Sequence, residues 1–424
     1  MKNKVLIIFK YPHGYLNQPI VKKFSNYYDT EYLYVNDYKN KNFTETINDI
    51  NNLIKSKHID VVVFDVDYFR FINLFFIEKI NSKKKILITA DDFDFHEMHS
   101  VTANTCDLVL SACPLSILKY KEKGYEAHYI SFDNGKIYKK NNKKKEIDVL
   151  FFGHVTPDRK GILDYITKEG ISLKNVGHEA GIYGLPEDEL LDLISKSKIV
   201  LNLSKTRTTV VQNYASENVF KFYYQLKGRI FLAGFQGAAC VSEYSPGQEL
   251  LFSEEEVPTF FTKEECAKIL KKLLNNNELL AKYTNKFTSK VCNLFEEKKS
   301  FEPIYNAIEK SNYRKVELIK IPYWYLRISA KQILLRNLKL SSLIKAIFQF
   351  RIIFAIIKNS SFLTKFLIVF ESIINILWYS FSFTLKPKKW DRSVSSLFCN
   401  LAVINNIIGD NLAPLYETKV IYNS

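Results

Sequence analysis

A strand-like run, Asp148-Val-Leu-Phe-Phe-Gly153, passes directly into His154-Val-Thr-Pro-Asp-Arg159-Lys160, an order of residue types suited to holding phosphate. Gly153 lets backbone approach a ligand closely, the next turn enters a helix whose first N–H groups are free, and the Arg159 guanidinium can grip a diphosphate through two parallel hydrogen bonds. Taken alone, the same residues also make an ordinary strand-to-helix turn with a solvated Arg. A second stretch carries different chemistry: Thr89-Ala-Asp91-Asp92-Phe-Asp94-Phe-His96-Glu97-Met-His99 gathers four acids and two imidazoles after a buried strand. Such groups at one strand end can take a proton from a hydroxyl, so Asp91, Asp92 and His96 are the candidate catalytic bases. Asp91 and Asp92 would serve equally well to cap the next helix. The His96-x-x-His99 spacing differs from that of a zinc-binding helix, so no metal site is expected. His13-Gly14, in the loop after the first strand, forms another lip of the same region.

The elements that must position these groups read as α/β. Short apolar runs at Val5–Phe9, Glu31–Val35, Asp60–Phe64, Lys85–Thr89, Asp107–Leu110 and His128–Ile130 are separated by polar, helix-capable stretches. Runs such as Val61–Phe64 and Ile86–Thr89 are apolar without alternation, as parallel strands covered on both faces should be. After Lys136–Glu146, which lacks apolar periodicity and reads as a linker, a second series begins. Its strands are expected at Asp148–Phe152, Leu173–Val176, Ile199–Leu203, Arg229–Leu232 and Ala239–Ser242. Helices are expected at Pro186–Ser197 and within Lys263–Glu296. The predicted architecture is two doubly wound, Rossmann-like domains, over 1–140 and 147–310, followed by a basic helical extension over 313–424. Open α/β sheets bind ligands at the carboxyl ends of their strands, so the cleft between the two domains is the expected site.

At 424 residues, with 47% hydrophobic and 25% charged residues, the chain is long enough for two core-bearing domains plus an appendage. The apolar run at its start, Val5–Phe9, is too short for a signal peptide and reads as a first strand. Six scattered cysteines without any C-x-x-C pair fit reduced thiols on the cytoplasmic side. The net charge of +15 is unevenly placed. Between Tyr313 and Arg392 fifteen cations stand against three acids, a balance of +12 that implies a polyanionic surface facing that segment.

Five stretches in order extend the reading: Asp107-Leu-Val-Leu with Tyr120-Lys-Glu-Lys-Gly124; Asp148–Gly153 with Arg159; Lys198-Ile-Val-Leu-Asn-Leu-Ser204; Gly228-Arg-Ile-Phe231 with Gln236-Gly-Ala-Ala-Cys-Val-Ser-Glu-Tyr244; and Glu249-Leu-Leu-Phe252. In their order and spacing, from Lys85 to Lys310, the chain resembles the group-1 glycosyltransferases with a GT-B fold, in the branch of spore-maturation-type and surface-glycan enzymes. The resemblance implies a nucleotide-sugar donor in the second domain, a glycan or lipid-linked acceptor in the first, and no cofactor or metal. Charge on the leaving diphosphate would then fall to cationic side chains, for which Arg159 and Arg229 are the candidates. Gly153, Gly237, Ser242 and Glu243 complete the donor-binding set that it implies, Glu243 standing at a recurrent acidic position. Arg229 as a helix cap and Glu243 as a solvated loop acid are the alternatives. One departure stands out: where the family has Glu after its Arg-x-Phe triplet, this chain has Leu232 after Arg229-Ile-Phe231. That loss admits a second reading, a degenerate transferase fold acting as a scaffold or binding protein.

From Ile321 onward the pattern turns aromatic and basic, as in Pro322-Tyr-Trp-Tyr-Leu-Arg327. Leu363–Leu385 has the length of a bilayer span, roughly 20 residues, but Lys365 and Glu371 inside it favour a helix lying on an anionic membrane surface, on the inner face of the cell membrane. Packing of the segment against the transferase, or against a second subunit, is the alternative. Nucleic acid is not expected as a partner, because aromatics mixed with long aliphatic runs suit lipid better than a phosphate backbone.

Overall fold

The computed structural model describes residues 3–9, 17–38, 41–66, 72–90, 92–131, 143–177, 185–205, 224–296, 300–311, 321, 325–326, 329–330, 350–355, 357–358 and 360–383. His13-Gly14, Asp91, Cys399 and much of the linker and of the basic extension lie outside them.

The first sheet contains β1 (Lys4–Phe9), β2 (Asp29–Tyr34), β3 (Val61–Val66), β4 (Lys84–Thr89), β5 (Leu108–Ser111) and β6 (Ala127–Tyr129), with α1 (Asn17–Ser25), α2 (Phe43–Lys57), α3 (Leu74–Glu78), α4 (Asp92–Ala103) and α5 (Pro114–Glu122) between them. Every pairing is parallel and the strand order is β2-β1-β3-β4-β5-β6. Alternation along each strand fills two cores. Leu6, Ile8, Val62 and Phe64 point to the side covered by Ile47, Ile50 and Ile54 of α2, whereas Val5, Ile7, Phe9 and Val63 meet Ile20 and Phe24 of α1. Burial on both faces explains why these strands read as unbroken apolar runs. A capping box starts α2, with the Asn42 side chain accepting from the Glu45 amide and Glu45 returning the bond to the Asn42 amide.

The second sheet contains β7 (Ile147–Phe151), β8 (Leu173–Asn175), β9 (Ser197–Asn202), β10 (Ala239–Glu243) and β11 (Thr259–Phe260). It is also all parallel, in the order β11-β10-β9-β7-β8. Its helices are α6 (Pro157–Lys168), α7 (Glu187–Ser195), α8 (Arg229–Phe235), α9 (Lys263–Leu274) and α10 (Asn277–Phe295). One face packs Val149, Phe151, Leu201 and Val241 against α6 and α9, and the other packs Leu150, Val200 and Cys240 against α7, α8 and α10. The two Rossmann-like domains form a GT-B fold.

One expected strand is a helix. Arg229–Leu232 lies in α8, and Ile230, Phe231, Ala233, Gly234 and Phe235 are all buried there. A short run that is apolar all round looks alike in a buried strand and in a buried helix, and periodicity cannot separate them. Gly234 settles the packing, because a β carbon there would lie 2.5 Å from Val291 Cγ2 on α10.

The chain then returns to the first domain. In α11 (Glu302–Lys310), Ile304 and Ile308 join the core beneath α1, together with the preceding Phe301, and Glu309 accepts a hydrogen bond of 3.0 Å from the Tyr28 hydroxyl. The basic extension also enters this domain. Tyr325, Leu326, Ala330, Ile353, Ile357 and Ile368 belong to the core on the α2 side, Ile368 coming from α12 (Phe362–Phe383). Among the described residues, no helix is long and apolar enough to cross a membrane. The buried Tyr325 hydroxyl accepts from the Leu74 amide at 2.8 Å and lies 2.8 Å from Thr102 Oγ1, bridging α3 and α4. Replacing Tyr325 with Phe strands a buried amide and hydroxyl. We expect a loss of about 1–3 kcal/mol in a urea titration, and an unchanged midpoint would show that this anchor contributes nothing to folding.

Candidate active site

The carboxyl ends of β7, β9 and β10 converge on one corner of the second sheet. After β7 the chain turns at Gly153, whose φ of +107° suits only glycine. The space beside it is taken by Arg229, since a β carbon on Gly153 would lie 2.6 Å from Arg229 Nη2. The Arg229 guanidinium sits over the rings of Phe151 and Phe152, 5.2 and 5.6 Å from their centroids, and reaches Leu203 O at 3.4 Å. Burial above all, and then the nearby Arg159 cation, pull its pKa down to about 9. It remains charged at neutral pH, but as a dehydrated cation on which the Arg159 cation weighs more than the Glu243 carboxylate. Such a group favours an anion placed against it.

Arg159 has a different task from the one its position in sequence suggested. It is 3% exposed, in the first turn of α6, where the Thr156 hydroxyl caps its amide. Its Nη1 donates to His154 O at 2.7 Å and its Nη2 to Lys205 O at 2.6 Å. The guanidinium therefore ties the loop after β7 to the loop after β9, instead of projecting toward an open phosphate position.

Glu243 grips the same loop from the other side. Its Oε2 accepts from the amides of Ser204 (2.8 Å) and Lys205 (3.0 Å), while Ser204 Oγ donates to Glu243 O at 2.6 Å. Burial pushes the Glu243 carboxyl up, and the amides of Lys205 and Ser204, with the Arg159 and Lys205 cations, oppose that push. Ser242 Oγ accepts from Asn202 Nδ2 at 2.8 Å and lies 3.0 Å from Gln248 Oε1, so it too is occupied in joining β9 to β10.

Of the six donor-site candidates, the fold brings five together: Gly153, Arg159, Arg229, Ser242 and Glu243. Gly237 is set apart. It has a φ of +66° between α8 and the amino end of β10, and its carbonyl accepts from Lys145 Nζ at 2.8 Å, ahead of β7, so it stands at the opposite edge of the sheet. Asn202, Ser204, Lys205 and Gln248 belong to the corner but were not singled out. Their signal is a run of polar residues directly after an apolar strand, Asn202-Leu-Ser204-Lys205, which alternation alone does not mark as special.

Of the three catalytic candidates of the first domain, Asp92 and His96 lie among the described residues, and both are buried. Asp92 is 0% exposed, and its Oδ2 accepts from Thr89 Oγ1 (2.8 Å) and Ser111 Oγ (2.7 Å). Its Oδ1 accepts from Tyr120 (2.9 Å) and meets His99 Nδ1 at 2.7 Å. Both oxygens are engaged within the domain. It clamps α4 to β4, β5 and α5. His96 is also buried, its Nε2 3.1 Å from Ser100 Oγ and its ring 4.6 Å from that of Tyr120. The two domains approach through these same strand ends: a β carbon on Gly247, after β10, would lie 3.2 Å from the amide of Leu115 in the first turn of α5.

Residues 146–293, the stretch that builds this corner, match a family model described as glycosyl transferase-like. No curated protein matches the chain. Among solved structures it is similar to HepE of Anabaena in complex with UDP and glucose, at 12% identity over 72% of this chain and 99% of that one, with a TM-score of 0.51. A sucrose-phosphate synthase of Thermosynechococcus elongatus is similar at 8% identity, covering 72% and 98% of the two chains, with a TM-score of 0.46. A glycosyltransferase of Rickettsia africae follows at 11% identity, 73% and 100% coverage, and 0.47. At such identities the likeness is one of fold.

Burial alone would raise the Asp92 pKa, but the hydrogen bond and charge of His99, the charge of His96 and the Ser111 hydroxyl outweigh it and hold the carboxyl at about 2. Its folded value lies below the ordinary one near 3.9, so its stabilisation is complete above about pH 4 and disappears as pH falls through about 2. Asp92→Asn should lower unfolding stability at neutral pH by about 3 kcal/mol or more, and flatten the loss of stability between about pH 4 and 2. Urea midpoints across that range check it. A variant that keeps wild-type midpoints and loses only turnover would restore Asp92 as a catalytic group.

Proposed function

We propose that the protein is a glycosyltransferase that moves a sugar from a nucleotide-sugar donor to a glycan or lipid-linked acceptor in the synthesis of a cell-surface polysaccharide or glycoconjugate. The observation that carries this is Arg229: a dehydrated guanidinium at the carboxyl edge of the second sheet, backed by two aromatic rings and facing the glycine turn at Gly153. A nucleoside diphosphate is the ligand that such a corner suits. Its negative charge grows as the bond to the sugar breaks, and a fixed cation in a low-dielectric site stabilises that charge more than the ground state. The similar Anabaena HepE structure is a complex with UDP and glucose, which supports the donor class.

The residues divide the work. Arg229 meets the diphosphate. Gly153 keeps side-chain bulk away from it, and Arg159 with Glu243 fixes the backbone of residues 203–205, so that Arg229 and its carbonyl contact are held in place before the donor arrives. The first domain takes the acceptor in this reading. Transfer is metal-independent in this reading, with Arg229 meeting the charge on the leaving diphosphate. The enzyme works as a peripheral protein on the inner face of the cell membrane, drawn there by the cationic segment at 313–392.

A second reading has a specific observation behind it. Leu232, where the resembling family carries Glu, is partly buried against the second domain's core, so its position supplies no donor contact. A degenerate fold that binds without turning over is the alternative that this favours.

Purified protein screened against common nucleotide sugars by thermal shift and by donor hydrolysis separates the two. A selective upward shift with slow hydrolysis is expected. Arg229→Ala should weaken donor binding by roughly 10- to 100-fold, the loss of one to two charge-assisted hydrogen bonds. Saturable binding without hydrolysis or transfer would select the scaffold reading, and silence toward every donor would remove the donor site altogether.

A further inference from the structure

The helix α12 carries two faces at helical spacing. Ile368, 1% exposed, and Ser372 are buried, and Val369 packs on the first domain's core. The opposite side is open: Phe362 is 86% exposed, Leu363 65%, Phe366 56%, Phe370 51% and Ile373 44%. At 3.6 residues per turn these five project within an arc of about 100°, the width of a stripe that elsewhere would face a core. Phe366 and Phe370 stack with ring centroids 5.9 Å apart and planes 9° from parallel, which makes the stripe a continuous aromatic ridge.

We infer that this ridge is a bilayer-docking surface, which sets Phe362, Phe366, Phe370 and their aliphatic neighbours into the headgroup boundary of an anionic leaflet. The inference rests on the peripheral-membrane reading above and names the residues that perform it. Three observations select lipid as the occupant. Exposed Lys358 precedes the ridge and part-exposed Lys365 lies beside it, within a segment whose charge balance is +12. A second copy of the chain, docked symmetrically, would bring two such cationic segments together, whereas an anionic leaflet neutralises them. The aromatic and basic make-up is that of a helix lying in the interface plane, and no helix among the described residues spans a bilayer.

The anchor has a mechanical consequence. Ile353, Ile357 and Ile368 sit in the core of the first domain, and Tyr325 is hydrogen-bonded inside it, so the ridge is rigidly joined to the acceptor side of the enzyme. Docking through it holds that domain at the lipid surface and leaves the donor corner on the other sheet.

The test is flotation of the full chain with vesicles of phosphatidylcholine alone and of phosphatidylcholine with phosphatidylglycerol. It compares wild type, Phe366→Asp/Phe370→Asp and Lys358→Glu/Lys365→Glu. Thermal melting confirms that the variants, changed at exposed or part-exposed positions, keep their fold. The expected result is flotation of wild type with the anionic vesicles, at least a tenfold fall in partitioning for the aromatic variant, and a smaller, salt-sensitive fall for the charge variant. Equal flotation of wild type and the aromatic variant would overturn the ridge while leaving the membrane reading standing. Absence of wild-type flotation would overturn both. A wild-type dimer that the aromatic variant dissociates, without flotation, would assign the ridge to a second copy instead.

Discussion

Two guanidinium groups share one poorly hydrated corner between β7 and β9, and the local structure is arranged to make that tolerable. Like charges in low dielectric repel strongly, and each loses hydration that only directed dipoles can replace. Arg159 receives such dipoles from two backbone carbonyls, His154 O and Lys205 O. Arg229 receives aromatic faces and one long contact to Leu203 O. Among the described residues Arg159 donates to two backbone carbonyls at short range, whereas Arg229 donates to one at longer range.

Holding Leu203–Lys205 still is what keeps that asymmetry. The loop receives bonds from both directions: Arg159 takes the Lys205 carbonyl, and Glu243 takes the two amides. A carboxylate and a guanidinium thus cooperate across a stretch of backbone without touching each other, each compensating the buried charge of the other through the peptide groups between them. The raised carboxyl of Glu243 reflects what this costs, because burial is the largest influence on it and the amides and cations return only part. An acid that resembles a ligand contact in the sequence is, in the folded chain, also a support for the backbone that Arg229 contacts.

The architecture was legible because parallel strands buried on both faces write themselves as unbroken apolar runs, and most of those in the two sheets lie within a residue or two of where the runs predict. Arg229–Leu232 broke that rule because α8 is sunk into the core and lacks a polar face. The site was legible in membership more than in role. Gly153, Arg159, Arg229, Ser242 and Glu243 converge at one corner, although Arg229 reaches it from the start of α8 and not from a strand. Yet the partners of Arg159 lie at 154 and 205, and those of Glu243 at 204 and 205, separations over which spacing carries no information.

Asp92 in the first domain obeys the same physics. Four acids and two imidazoles after a buried strand look like proton chemistry, but Asp92 accepts from Thr89, Ser111 and Tyr120 and pairs with His99. A carboxylate ringed by four partners at zero exposure is held near a pKa of 2, far from the range in which it could exchange protons at neutral pH. Its charge instead locks α4 and α5 to the carboxyl ends of β4 and β5, the edge that meets the second domain near Gly247. The first domain thus draws rigidity from a buried carboxylate whose four partners all belong to it, whereas in the second domain Arg229 keeps a buried charge on which Arg159 weighs more than Glu243 does.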